Sequence, residues 1–411
     1  MKNQLVFLTV TLILITTIFI SNVFANQDLS LRVDKIKPNV VRVANATEAV
    51  YSPSGKFLAI QTASKFFLLP SQNLSKSTVN LQESRSWNGK ILGFLPSETL
   101  IFSNSDGIFS LEPTNLKSQK ISSQNVAKLL HDKELTQKGF VIVSNDLIIS
   151  GDGAYDWGAE KGNIFKFDLK RKRFSKGTKI FAFWYASASP SGKHILYEHG
   201  AEDNNNTDLY DISQDKNYPI SEYFNFKKEF PEYKVTDESP IAWVESDKFL
   251  AEISDNQFDE NEASNSGGAE KKHFWLVLFD VTGKNVVWKK SVDKWLFPTA
   301  FQQLSENKAL VNYEDEVYEL SLIDGKMVKL PGIDGNSISV SPNKKRVAFL
   351  KSNQLFITSP NGSDKKLVLG FPEDWEHQTA YKGMGERSAL WSADSNSLIL
   401  FGNNQLFLIQ L

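Results

Sequence analysis

An all-β architecture is what this sequence predicts, and three features predict it. A Ser-Pro turn followed by a short apolar run returns along the chain. The apolar runs are roughly three to six residues long, rich in β-branched and aromatic residues, and bounded by Gly, Pro, Asn, Asp and Ser. No 3.6-residue hydrophobic period is sustained, and residues 124–135 form the one segment that reads as a helix.

The turn first reads Tyr51-Ser52-Pro53-Ser54-Gly55-Lys56, leading into Phe57-Leu58-Ala59-Ile60. It returns as Ala188-Ser189-Pro190-Ser191-Gly192-Lys193, as Val340-Ser341-Pro342-Asn343-Lys344-Lys345, and as Leu390-Trp391-Ser392-Ala393-Asp394-Ser395. Four weaker copies fill the gaps, at Phe94-Leu95-Pro96-Ser97-Glu98, Val143-Ser144-Asn145-Asp146, Trp243-Val244-Glu245-Ser246-Asp247 and Leu304-Ser305-Glu306-Asn307. In each good copy a polar connection and a third run follow, then in most copies a more polar fourth strand such as Ser77-Thr78-Val79-Asn80-Leu81. One four-stranded sheet cannot bury both faces alone, whereas sheets stacked radially shield one another and leave only short edges. The prediction is a single β-propeller of four-stranded blades over residues 26–411, eight in number, or seven if the copy at Val143 is an insertion. The last apolar run reads as a third strand, so the ring is expected to close with an N-terminal strand around Val40-Val41-Arg42-Val43. Two β-sandwiches in tandem are the alternative, which the regular return of the turn disfavours.

Residues 1–25 differ from the rest. Lys2 precedes an uncharged, mostly apolar run from Leu5 to Ile20, and Val23 and Ala25 are small. This reads as a secretory signal peptide cleaved before Asn26, with a retained anchor as the alternative. The 411 residues contain no cysteine, which excludes disulfides, thiolate metal sites and a lipid-modified cysteine. An exported, Lys- and Asn-rich chain without disulfides is expected to be bacterial, and periplasmic or secreted. The net charge of −2 and the short, turn-bound basic runs, such as Lys170-Arg171-Lys172-Arg173, predict no nucleic-acid partner and no stable membrane insertion once the signal is removed.

The Ser-Pro-Ser-Gly-Lys turns, each followed by an apolar strand, resemble the repeats of TolB-type and WD-like propellers. The segment Leu278-Phe279-Asp280-Val281-Thr282-Gly283-Lys284, ending at Trp288, resembles one blade of quinoprotein-type propellers. Both resemblances imply a binding platform, and fold alone assigns no function.

Catalytic signatures are absent from the sequence: no Gly-x-Ser-x-Gly elbow, His-Glu-x-x-His, phosphate loop or dinucleotide fingerprint occurs. The five histidines are scattered, and no cofactor is expected. Of the tryptophans, Trp243, Trp275 and Trp391 read as packing between blades; Trp157 and Trp375 sit in polar stretches and read as binding anchors. Connections between second and third strands are short except at residues 151–162, 199–206 and 254–272 of three consecutive blades. These three hold Asp152, Asp156, Glu160, Glu202, Asp203, Asp255, Asp259, Glu260, Glu262 and Glu270 against Lys161, Lys271 and Lys272. Such an acidic rim suits a basic protein, a cationic ligand or Ca²⁺. The reading is a monomeric, non-catalytic scaffold that binds a protein through this loop face. The alternatives are an enzyme with a central-channel site (lyase, glycosidase or quinoprotein-like) and a calcium- or sugar-binding module.

Overall fold

The computed structural model describes residues 32–37, 40–71, 85–121, 140–143, 146–151, 161–168, 171, 173–181, 185–201, 204–233, 235–244, 247–257, 271–292, 300–313, 316–371, 389–402 and 405–411. The expected signal peptide and the expected helix at 124–135 lie outside them. The described residues form eight antiparallel sheets, numbered I to VIII by the chain order of their first strands. Sheet I holds Glu48–Tyr51, Phe57–Gln61, Lys65–Pro70 and Ser86–Asn88, and sheet II holds Lys90–Phe94, Leu100–Asn104, Gly107–Glu112 and Lys117–Lys120. Sheet III holds Phe140–Val143, Asp146–Gly151, Lys161–Asp168 and Arg173–Phe181, so the weak copy at Val143 builds a sheet of its own. Sheet IV holds Tyr185–Ala188, His194–Ala201, Asn204–Asp211 and Lys216–Pro219; sheet V holds Val235–Val244, Lys248–Gln257, Lys271–Asp280 and Asn285–Val292. Sheet VI holds Ala300–Ser305, Lys308–Tyr313, Glu316–Ser321 and Met327–Lys329; sheet VII holds Asn336–Val340, Val347–Lys351, Gln354–Thr358 and Lys366–Gly370.

Sheet VIII mixes the two ends of the chain. Ala389–Trp391, Ser397–Gly402 and Gln405–Gln410 are followed outward by Val40–Ala44, with Val40 opposite Ile409 and Ala44 opposite Gln405. A further strand, Arg32–Lys37, pairs with Val40–Ala44 and makes this sheet five-stranded, which the sequence pattern did not reveal.

Sheets I to VII each run in simple chain order, and the first strands of sheets I and II, III and IV, and V through VIII lie beside one another, so the first strand is innermost. Hydrophobic clusters join each sheet to the next. Leu58 and Ile60 of sheet I meet Ile399 and Leu408 of sheet VIII, and Ala59 and Phe66 meet Leu100 and Phe102 of sheet II. Further clusters link II to III, III to IV, IV to V, V to VI, VI to VII and VII to VIII. Both faces of every sheet are thus covered, which is why the central strands read as apolar on consecutive residues rather than in alternation. The fold is a β-propeller.

The repeated turn has a local cause. The hydroxyls of Ser52, Ser189, Ser341 and Ser392 each accept the backbone N–H five residues on, at 3.0–3.2 Å. The residue three after each serine, respectively Gly55, Gly192, Lys344 and Ser395, is left-handed. Glu98 and Asp247 occupy the corresponding left-handed place in two weaker copies. Their side chains clip the sheets together: Ser54 N–H donates to Glu98 at 2.6 Å and Ser191 N–H to Asp247 at 2.9 Å. Ser395 Oγ accepts Asn343 N–H at 3.1 Å in the same way.

Tryptophans bridge sheets as the sequence suggested. Trp243 Nε1–H donates to Ser187 O at 3.0 Å and Trp391 Nε1–H to Ser339 O at 3.2 Å, while Trp275 is buried in the cluster between sheets IV and V. Between those two sheets sit two one-turn helices, Ile220–Tyr223 and Phe226–Glu229. From this insert Phe226 stacks on Phe279, Phe224 meets Phe249 edge-on and Phe279 at a tilt, and Phe230 meets Trp275 at a tilt. Radially arranged sheets diverge outward, and these rings occupy the widening gap.

Candidate functional site

One face of the ring carries the connections between second and third strands. In most sheets those strands are five or six residues long, as in Phe57–Gln61 and Lys65–Pro70. In sheets IV and V both lengthen, His194–Ala201 and Asn204–Asp211 to eight residues and Lys248–Gln257 and Lys271–Asp280 to ten, while in sheet III the third strand Lys161–Asp168 has eight and the second, Asp146–Gly151, keeps six. Gln61, nine residues after Ser52, ends its strand; Glu198, nine after Ser189, is followed by three more paired residues up to Ala201 opposite Asn204. The segment 199–206, expected as a loop, is therefore mostly strand. Its polar residues read as a loop because their composition carries no apolar alternation, although the backbone pairs them.

Buried polar side chains collect in these raised portions: Glu198, His199, Thr207, Asp208, Glu238, Glu252, Ser254 and Asp255 are all buried. On the side of sheet IV that faces sheet III, Tyr197 OH donates to Asp208 Oδ2 at 3.0 Å, and His199 Nε2 lies 3.4 Å from Asp208 Oδ1. Burial would raise the Asp208 carboxyl, but the hydrogen bonds from His199, Asn217 and Tyr197 outweigh it and hold the group below its ordinary range. Toward sheet V, Thr207 donates its N–H to Glu238 Oε2 at 3.1 Å and its hydroxyl to Glu238 O at 2.8 Å. Ser239 Oγ reaches Glu198 Oε1 at 3.4 Å.

Asp255 departs from the sequence expectation of an exposed rim acid. It lies within Lys248–Gln257, opposite His273, with no exposed surface. Its Oδ1 accepts the His273 N–H at 3.0 Å and faces His273 Nδ1 at 2.9 Å; its Oδ2 has no hydrogen-bond partner among the described residues. The His273 ring is 38% exposed and stands against Tyr233, which in turn meets Trp275. The carboxylate thus fixes the orientation of an imidazole at the surface. Asp152, Asp156, Trp157, Glu160, Glu202, Asp203, Asp259 and Trp375 lie outside the described residues. Among the described residues no group of three His, Asp or Glu is placed to hold a metal ion.

The His–Asp pairs were not singled out from the sequence, because their partners are 9 and 18 residues apart and meet only through strand register. Elsewhere on this face a cleft of about 490 Å³ opens between sheets VI and VII, lined by Glu316, Lys329, Ile333, Asp334 and Lys351. Its charges are already matched. Glu316 pairs with Lys329, and Asp334 lies between Lys351 and Lys365, whose hydrogen bonds hold its carboxyl below the usual range.

No protein-family model matches this sequence, and no curated protein matches it. Among solved structures it is similar to the Cps50 (Swd1) β-propeller domain of Myceliophteria thermophila, at 13% identity over 93% of this chain and 99% of that one, with a TM-score of 0.45. It is also similar to the hydrazine synthase of Kuenenia stuttgartiensis, at 13% identity over 93% and 98% of the two chains and a TM-score of 0.40. A eukaryotic initiation factor matches at 12% identity over 87% and 81%, with a TM-score of 0.47. No residue role is carried over from any of them.

Proposed function

We propose that this propeller is an exported, non-catalytic scaffold that holds a protein partner on the hairpin face of sheets III to V. The observation that carries the reading is the lengthening of the paired second and third strands in the neighbouring sheets IV and V, beside the long third strand of sheet III. It raises one arc of the face on a base stiffened by buried polar contacts. Long connections on a rigid frame are where such folds carry recognition. The acids at 152, 156, 160, 202, 203 and 259 surround this arc in the sequence and favour a basic partner over an acidic one. The apolar run from Leu5 to Ile20 supports export. The bland inner-strand residues Ala49-Val50, Ala186-Ser187 and Ser337-Ile338 favour binding over a central-channel enzyme.

The test is capture from the native periplasm or culture medium, with partners identified by mass spectrometry. Reversing the charge of Asp152, Asp156, Asp203 and Asp259 together is expected to abolish capture while leaving the unfolding midpoint in place. Capture that survives the four reversals overturns the assignment of this arc. A calorimetric heat on adding Ca²⁺ to chelator-treated protein, lost in the same variant, moves the reading to a calcium module.

A further inference from the structure

The net charge of −2 conceals a local sorting of charge on the outer strands. The outermost strands of sheets V, VI and VII are Asn285–Val292, Met327–Lys329 and Lys366–Gly370. They contain Lys289, Lys290, Lys329 and Lys366 and no Asp or Glu, with Lys329 paired to Glu316 of the adjacent strand. The same three strands carry Val287, Val328 and Leu367, exposed by 38%, 49% and 57%. With Ile323 on a turn of sheet VI, these are the large hydrophobic residues exposed among the described residues. Lysine on an edge strand also deters pairing with other strands. That role does not require aliphatic side chains in the same strands, and single exposed aliphatics elsewhere would need no account.

A second observation fixes where the chain enters this perimeter. Arg32–Lys37 is the outermost strand of sheet VIII, and sheet VIII packs on sheet VII through Leu355, Leu369, Leu398 and Ile409. The sequence of this strand holds Arg32, Lys35 and Lys37 and one acid, Asp34.

We propose that the perimeter of sheets V to VIII docks on an anionic lipid bilayer surface. Lysines attract acidic headgroups through the solvent, and aliphatic side chains gain by entering the interface. A convex rim meets a flat surface along a few sheets, and VI and VII stand at the middle of this sector. Docking there leaves the raised hairpin arc on a different face of the ring, so the inference does not depend on the partner proposed above.

The purified chain should be sedimented with phosphatidylcholine vesicles, with and without about one-third phosphatidylglycerol. Binding is expected to be at least about tenfold tighter to the anionic vesicles and to weaken between about 0.05 and 0.5 M salt. Lys290→Glu, Lys366→Glu and Lys326→Glu, the last at the exposed lysine just before Met327, together should remove that preference, and Val328→Ser with Leu367→Ser should weaken binding at constant charge. Lys117→Glu with Lys120→Glu, on the exposed outer strand of sheet II, should leave binding unchanged. Equal binding to the two vesicle types overturns the proposal, as does an equal loss in the sheet II variant. Binding to soluble polyphosphate without binding to vesicles overturns it in favour of a soluble polyanion. Matching unfolding midpoints for all variants separate docking from folding.

Discussion

Ser54 gives both of its donors to Glu98: the backbone N–H reaches Oε1 at 2.6 Å and the hydroxyl reaches Oε2 at 2.7 Å, across the boundary between sheets I and II. Glu98 stands where the better turn copies have Gly55, Gly192, Lys344 and Ser395, in the left-handed conformation. A residue that looks like decay of the repeat is therefore a clip between sheets.

Glu98→Ala should lower stability by about 1–2 kcal/mol, read from the urea midpoint. Partial burial acts to raise the Glu98 carboxyl, but hydrogen bonds from Ser52 and Ser54 outweigh it and depress the group. A depressed carboxyl stabilises the fold above its unfolded value and loses that contribution as pH falls through its folded value. Between about pH 5 and pH 3 the variant should accordingly lose less stability than the parent.

Asp208 follows the same sign, since its carboxyl is also held low. Tyr197→Phe removes one donor from it while keeping the ring in the cluster between sheets III and IV. The expected cost is about 1.5–3 kcal/mol near neutral pH, shrinking as acid protonates Asp208. Thermal unfolding at a series of pH values checks both parts.

The Asp255–His273 pair should behave as a unit. His273→Ala leaves a fully buried carboxylate with one backbone donor and should cost about 2–3 kcal/mol. Asp255→Ala made on top of it should add much less than it costs alone. A double-mutant cycle reads the coupling, expected to exceed about 1 kcal/mol.

Gly55 is left-handed at φ 71°, and a Cβ placed on it would lie 2.4 Å from Cβ of Ala393 in sheet VIII. Gly55→Ala should therefore destabilise by about 1–3 kcal/mol. Gly370→Ala, where a Cβ meets nothing within 4 Å, is the control and should change little. Chemical denaturation of the two variants compares them directly.

The fold was legible because its signal is local. A serine that caps a backbone N–H five residues later and a left-handed residue between them leave a six-residue signature wherever a first strand turns into a second. The pairing of Val40–Ala44 with Gln405–Gln410 was readable from the count of runs in the last repeat. What the sequence hid depends on contacts between sheets. His199 and Asn206 look like loop residues until strand register pairs them with each other and sets His199 beside Asp208. The helices at Ile220–Tyr223 and Phe226–Glu229 are too short to show a period, and their phenylalanines are explained by a gap that exists only in the assembled ring.

Pairing Val40–Ala44 with Gln405–Gln410 also sets an order of events. A chain emerging from its N-terminus makes one partner of this pairing hundreds of residues before the other. Throughout that interval Val40, buried in the finished ring, has neither its ladder nor its neighbours in sheets VII and VIII. Seven sheets can stack in sequence while this strand waits, and the final one is assembled from the oldest and the newest parts of the chain. Completion is a long-range closure, slow by its loop length, and a nascent copy carries an unsatisfied edge until the closing moment.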